Sequence, residues 1–141
     1  STAAETRAQM EQIYTCMKVG VVLLSTGIIL GGVWADYSWG RFWGWDPKET
    51  CALIADIGYL AILHGRFTGW INSYRLAFLS PIAYFLVIFA WYGVNFILAT
   101  GLHSYGFSSG GLSVVLTYVT IQVAILAVVA FYRAKYMRAA V

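Results

Sequence analysis

Residues 34–50 read WADYSWGRFWGWDPKET. The stretch holds four of the chain's six tryptophans, Trp34, Trp39, Trp43 and Trp45, and it separates two long apolar runs. Its last residues carry the marks of a helix start. Asp46 suits the N-cap, Pro47 suits the first helical position, where its missing N–H costs nothing, and Glu49 stands where a capping box requires it. The stretch is therefore an aromatic connection that ends in a new helix. What flanks it decides the fold.

The flanks are apolar. The 141-residue chain is 60% hydrophobic and 11% charged, with a mean hydropathy of +0.72. A soluble domain carries about 25% charged residues, so this chain is embedded in a membrane. A span needs roughly 17–25 mainly apolar residues, and four segments qualify, at about 16–35, 47–65, 76–102 and 112–132. We expect an all-α integral membrane protein with four transmembrane helices forming a single membrane domain over 1–141. No short apolar core precedes a small-residue cleavage site, so no removable signal peptide is expected.

The basic residues set the direction. Arg7, Lys18, Arg66, Arg75, Arg133, Lys135 and Arg138 fall on one side of a four-span arrangement, against only Arg41 and Lys48 on the other. Lys and Arg favour the cytoplasmic side. Both termini are expected there, with the tryptophan stretch and the 103–111 loop outside. The pI near 9.0 does not point to nucleic acid, because a phosphate-binding face needs its basic residues clustered. Cys16 and Cys51 belong to opposite ends of adjacent spans. About 30 Å of hydrocarbon separates such ends, and a disulfide needs Cα atoms within about 7 Å, so both are expected to be free thiols.

Three kinds of residue carry chemistry. The first is the indoles. An interfacial aromatic belt accounts for a single tryptophan at a membrane edge. It accounts less well for Trp39, Trp43 and Trp45 in one short loop with Gly40 and Gly44, where missing side chains let a flat object approach. The second is histidine, of which there are two, His64 and His103. At 1.5 Å per residue His64 lies about 26 Å along its helix from Pro47, near the inner boundary. His103 closes the third span at the outer boundary. Each is either a satisfied interfacial side chain or a nitrogen ligand. Their separation excludes one iron shared between them. Third, the helix start at 46–49 offers a positive dipole end to an anion. Asp56 sits mid-span, as a bundle-facing carboxyl or on a proton path. Gly27 and Gly31 form a GxxxG packing pattern, and Asn95 suits a bond to a neighbouring helix. No residue reads as an activated nucleophile.

WGRFWGWDPKET at 39–50 resembles the WGxxWxWD signature of the tryptophan-rich haem-handling family of cytochrome c assembly proteins, in its CcsA/ResC branch. LHGR at 63–66 and YGVNFILATGLHSY at 92–105 are similar to the same branch. The resemblance implies that Trp39, Trp43, Trp45 and Asp46 belong to an outer haem-binding surface and that His103 is an axial ligand to haem iron there. It implies that His64 is a membrane ligand nearer the cytoplasm. The cofactor would be transiently bound b-type haem, passed outward to the CxxCH thiols of apocytochrome c, in a bacterial inner membrane or a thylakoid-like equivalent. The sequence departs from the pattern at Cys51, where tryptophan is usual, and at Asp56, where a neutral residue is usual. It contains no second outer histidine. The expectation is therefore a C-terminal part of such a protein, whose missing ligands come from another segment or from a CcsB/ResB-like subunit. The alternative is a non-catalytic membrane subunit of a respiratory or transport complex, with structural histidines and interfacial tryptophans.

Overall fold

The computed structural model describes residues 3–98 and 111–138. Four helices account for almost all of them: α1 (Ala3–Trp39), α2 (Pro47–Phe67), α3 (Ser73–Ile88) with a π-helical continuation over Phe89–Leu98, and α4 (Leu112–Arg138). All four are long and apolar enough to cross a membrane, taking α3 and its continuation together. No strand occurs among the described residues. The protein is an all-α integral membrane protein.

The chain divides into two units, 1–106 and 107–141. In the first, α1, α2 and α3 pack as a three-helix bundle. α1 is 37 residues long, about 55 Å at 1.5 Å per residue. That exceeds the hydrocarbon core of about 30 Å. The surplus is its polar first third, where Arg7 pairs with Glu11 one turn on, at 3.4 Å. The sequence expectation began the span at 16 because the polar residues before it do not suit lipid; they are good helix formers all the same. In the second unit, α4 has no ionised residue before Arg133 and no polar stripe, as suits a membrane-spanning helix.

One buried cluster of the bundle lies toward the end away from the tryptophan loop, while Ala35 and Val94 are buried nearer to it. Met17, Ile62, Leu76 and Ala83 are buried together, with Ile13, Tyr14, Tyr59, Leu63, Ile71 and Leu79 around them. The 68–72 turn closes this end. Gly69 takes φ +81, Asn72 caps α3 through the Arg75 amide at 2.9 Å, and Arg66 and Arg75 donate to the carbonyls of Ile71 and Trp70.

Two expectations about packing change. Gly27 and Gly31 do not mark a tight helix crossing: an added methyl at either meets nothing within 4 Å. They line an open, mostly apolar groove of about 340 Å³ whose far side is Trp43, Lys48, Glu49 and Ala52. The close approach falls instead at Gly32, where a Cβ would meet the Phe42 ring at 2.8 Å. The third span also does not stay α-helical. From Phe89 its backbone widens into ten residues of π-helix, with the Phe89 ring lying over Gly93 and Tyr92 stacked on Phe96 at 4.2 Å.

Mid-span, Ser25 of α1 donates to the Asp56 carboxyl of α2, at 2.9 Å to one oxygen and 3.1 Å to the other. Asp56 is buried. It is a bundle-facing group, bonded across to the neighbouring helix. Cys16 and Cys51 are free thiols.

Candidate functional site

The loop between α1 and α2 is built from both ends inward. Gly40 terminates α1 with φ +71, and its amide returns to the Asp36 carbonyl at 2.8 Å. This is the left-handed glycine cap that most helices ending in a sharp turn use. At the other end the capping box is complete. The Asp46 side chain accepts from the Lys48 amide at 2.9 Å, and Glu49 Oε2 accepts from the Asp46 amide at 3.1 Å. Glu49 does more than the box requires. The same Oε2 accepts from the Gly44 amide at 2.8 Å, and Oε1 takes Arg41 Nη1 at 3.0 Å. The Glu49 side chain is only 8% exposed.

Trp39, Trp43, Trp45 and Asp46 are therefore brought together, and the indoles form two pairs. Trp34 meets Trp39 edge to face at 5.0 Å and 81°; Trp43 meets Trp45 at 5.8 Å and 89°. The Arg41 guanidinium lies 5.9 Å from the Trp39 ring centre. Edge-to-face contact is the favoured geometry for aromatic pairs. It also means that the four rings do not share a plane. Trp43 is half-buried at the mouth of the α1–α2 groove, whereas Trp45 is 69% exposed. Trp45 also has φ 57, the sole non-glycine positive φ among the described residues. A bulky side chain rarely adopts that conformation without a structural reason.

Asp46 is buried, and its side chain is engaged in the helix cap. The positive end of α2 is likewise filled by the chain's own carboxylates, not left open to an external anion.

His64 lies at the other end of α2, on an exposed face. Its Nδ1 is 2.8 Å from the Leu60 carbonyl. A carbonyl only accepts, so Nδ1 is the donor in this contact; the neutral tautomer that makes it has its lone pair on Nε2. This is the arrangement of metal-ligating histidines, whose second nitrogen is held by a backbone carbonyl. The structure keeps His64 and the tryptophan loop apart, about 26 Å along α2. His103 lies outside the described residues. Among the described residues no group of three or more His, Cys, Asp or Glu is gathered to hold a metal ion.

Lys48 is a residue that sequence reasoning assigned only to topology. Its Nζ donates to the Trp91 carbonyl at 3.0 Å and to Asn95 Oδ1 at 3.3 Å. It ties the first turn of α2 to the π segment that leads toward His103, and it supplies the neighbouring-helix bond expected of Asn95. Arg41 and Glu49 were likewise legible only as a loop cation and a cap. Their pairing needs the loop to fold back.

The profile of the cytochrome C assembly protein family matches residues 3–103. The cytochrome c biogenesis protein CcsA of Prochlorococcus marinus subsp. pastoris is 47% identical over 97 residues, covering 69% of this chain and 31% of that protein. CcsA of P. marinus strain NATL1A is 46% identical over 93 residues, covering 66% of this chain and 29% of that protein. The chain thus spans about a third of the length of these relatives. A matched segment that includes the tryptophan loop, the capped start of α2 and both histidines leaves one assignment: the chain belongs to the cytochrome c assembly protein family.

Proposed function

We propose that this protein is the haem-binding and haem-delivery part of a cytochrome c synthase. The observation that carries the reading is the tryptophan loop, which is fastened to a capped helix start and turns an indole outward beside an apolar groove. A porphyrin is large, flat, apolar and polarisable, and exposed indoles offer it dispersion contact. In this reading Trp39, Trp43 and Trp45 form the outer surface, with Asp46 supporting it from below, and His103 ligates the iron from the end of the third span. His64, with Nε2 available, ligates haem nearer the cytoplasmic face. The two positions mark the start and the end of an outward route. Other segments or a CcsB/ResB-like subunit complete both ligand sets. The membrane is the bacterial inner membrane or its thylakoid-like equivalent, with the loop and the 103–111 segment outside and both termini inside.

The product is a thioether. The cysteine S–H of an apocytochrome CxxCH motif adds across a haem vinyl group: a carbon–sulfur bond forms, the vinyl double bond is consumed, and the thiol proton ends on the other vinyl carbon. This chain's residues orient the porphyrin edge, exclude water and hold the iron. Positioning of this kind supplies rate by making an encounter effectively intramolecular.

The test is haem spectroscopy of the synthase purified with its partner chains. His103→Ala and His64→Ala are each expected to change the axial-ligand signature or lower haem content. If neither substitution alters coordination or occupancy, the reading fails.

A further inference from the structure

The loop's exposed indole depends on an unusual backbone, and the structure shows what holds it. Trp45 has φ 57. The amides on either side of it, those of Gly44 and Asp46, converge on one oxygen, Glu49 Oε2, at 2.8 and 3.1 Å. Backbone around a left-handed residue turns alternate N–H groups to the same side and makes a concave nest for an anion. Here the anion is internal.

We propose that Glu49 is the positioning residue of the tryptophan loop: its carboxylate fills the nest formed by the Gly44 and Asp46 amides, and so holds Trp45 left-handed with its indole turned toward the ligand. The proposal rests on the reading of this loop as a haem surface. Glu49 itself is buried, its side chain 8% exposed, and it lines the groove beneath Trp43 rather than standing exposed as Trp45 does.

Three further facts fit. Glu49 sits in the first turn of α2, so the loop is fastened to a long rigid helix rather than to another loop. Its second oxygen is paired with Arg41, which neutralises the buried charge while leaving Oε2 to the amides. Gly44 has no side chain because the Arg41 guanidinium occupies the space a Cβ would take. Arg41, Gly44 and Glu49 act as one unit, in which Glu49 accepts from both amides.

Two substitutions separate geometry from charge. Glu49→Gln loses the charge but keeps an oxygen at full reach. Glu49→Asp keeps the charge but withdraws it by one methylene. Both suit the first turn of a helix, so both are expected to fold. In haem-free protein in nanodiscs, amide hydrogen exchange at Gly44 and Asp46 and the circular-dichroism couplet of Trp43 and Trp45 are recorded. Hemin affinity is then titrated. Glu49→Asp is expected to speed exchange at both amides by about tenfold or more, as loss of a charge-assisted bond does. It is also expected to weaken the couplet and lower hemin affinity. Glu49→Gln loses the charge and turns an N–H donor toward Arg41, but its one oxygen still reaches both amides, so it is expected to lose less than Glu49→Asp in all three. Full protection of both amides in Glu49→Asp overturns the proposal, and so does equal loss of protection in Glu49→Gln. A split in the amides with no split in hemin affinity, in protein that binds hemin, overturns the positioning role. A wild-type protein that binds no hemin counts against the proposed function alone, because the exchange and dichroism readings are taken without it.

Discussion

Gly40 and Gly44 stand in the same short loop for different reasons. Gly40 has φ +71 and open space around its Cα, so an added methyl fits but the backbone resists it. Gly44 has no positive φ; what a methyl meets there is the Arg41 guanidinium. Gly40→Ala is expected to cost about 1–2 kcal/mol of stability, the penalty for an L residue in left-handed backbone, and to leave the Arg41–Glu49 pair intact. Gly44→Ala is expected to displace Arg41 from Glu49 and to cost roughly 1 kcal/mol, a modest figure because Arg41 is partly exposed. Reversible unfolding of the two variants, with the Trp43–Trp45 dichroism, separates the two effects. The sequence suggested glycines that make room for a ligand. Both also have work inside the chain: one ends a helix and the other clears space for an ion pair. That difference was not legible, because the Arg41–Glu49 contact exists only once the loop folds back on α2.

At the scale of the elements, the start of α2 was fully legible and the end of the third span was not. Asp46, Pro47 and Glu49 act locally, so their spacing alone specifies the cap, and the structure forms it as expected. The π segment leaves no such trace. An apolar helix in lipid looks the same in composition whether its turns are tight or wide, and the contacts that accompany the widening, Phe89 over Gly93 and Lys48 on the Trp91 carbonyl, exist only in the fold. Lys48→Met is expected to lower stability by about 1 kcal/mol by removing donors from Trp91 and Asn95. If Lys48 sets the course of the segment before His103, the same variant also shifts the haem spectrum of the purified synthase. The α1–α2 contact makes a second prediction. Ser25→Ala takes from the buried Asp56 carboxyl its donor on the facing helix and is expected to cost roughly 0.6–1.7 kcal/mol, the range of interhelical hydrogen bonds in membranes. Asp56→Asn, which still accepts from Ser25, is expected to cost less. Unfolding in bicelles reads both.

On the scale of the whole molecule, composition and basic-residue placement gave four spans and an expected direction, because both follow from the membrane as a solvent rather than from any particular contact. Family membership follows from motifs that the matched segment contains, yet the chain spans only about a third of the length of its CcsA relatives. The account places the outer haem surface on the tryptophan loop and the inner ligand at His64, two ends of one helix, each completed from outside this chain. The loop's share in that claim is tested by the haem occupancy of the purified synthase carrying Trp45→Ala, set beside Trp70→Ala. Trp70 is a useful control: it is 77% exposed, like Trp45 an indole in a connecting segment, but at the opposite end of α2. The account predicts that Trp45→Ala lowers haem affinity by roughly threefold to tenfold, the contribution of one aromatic contact, while Trp70→Ala leaves it unchanged. Equal haem affinity in Trp45→Ala and wild type, or an equal loss in the two variants, contradicts it.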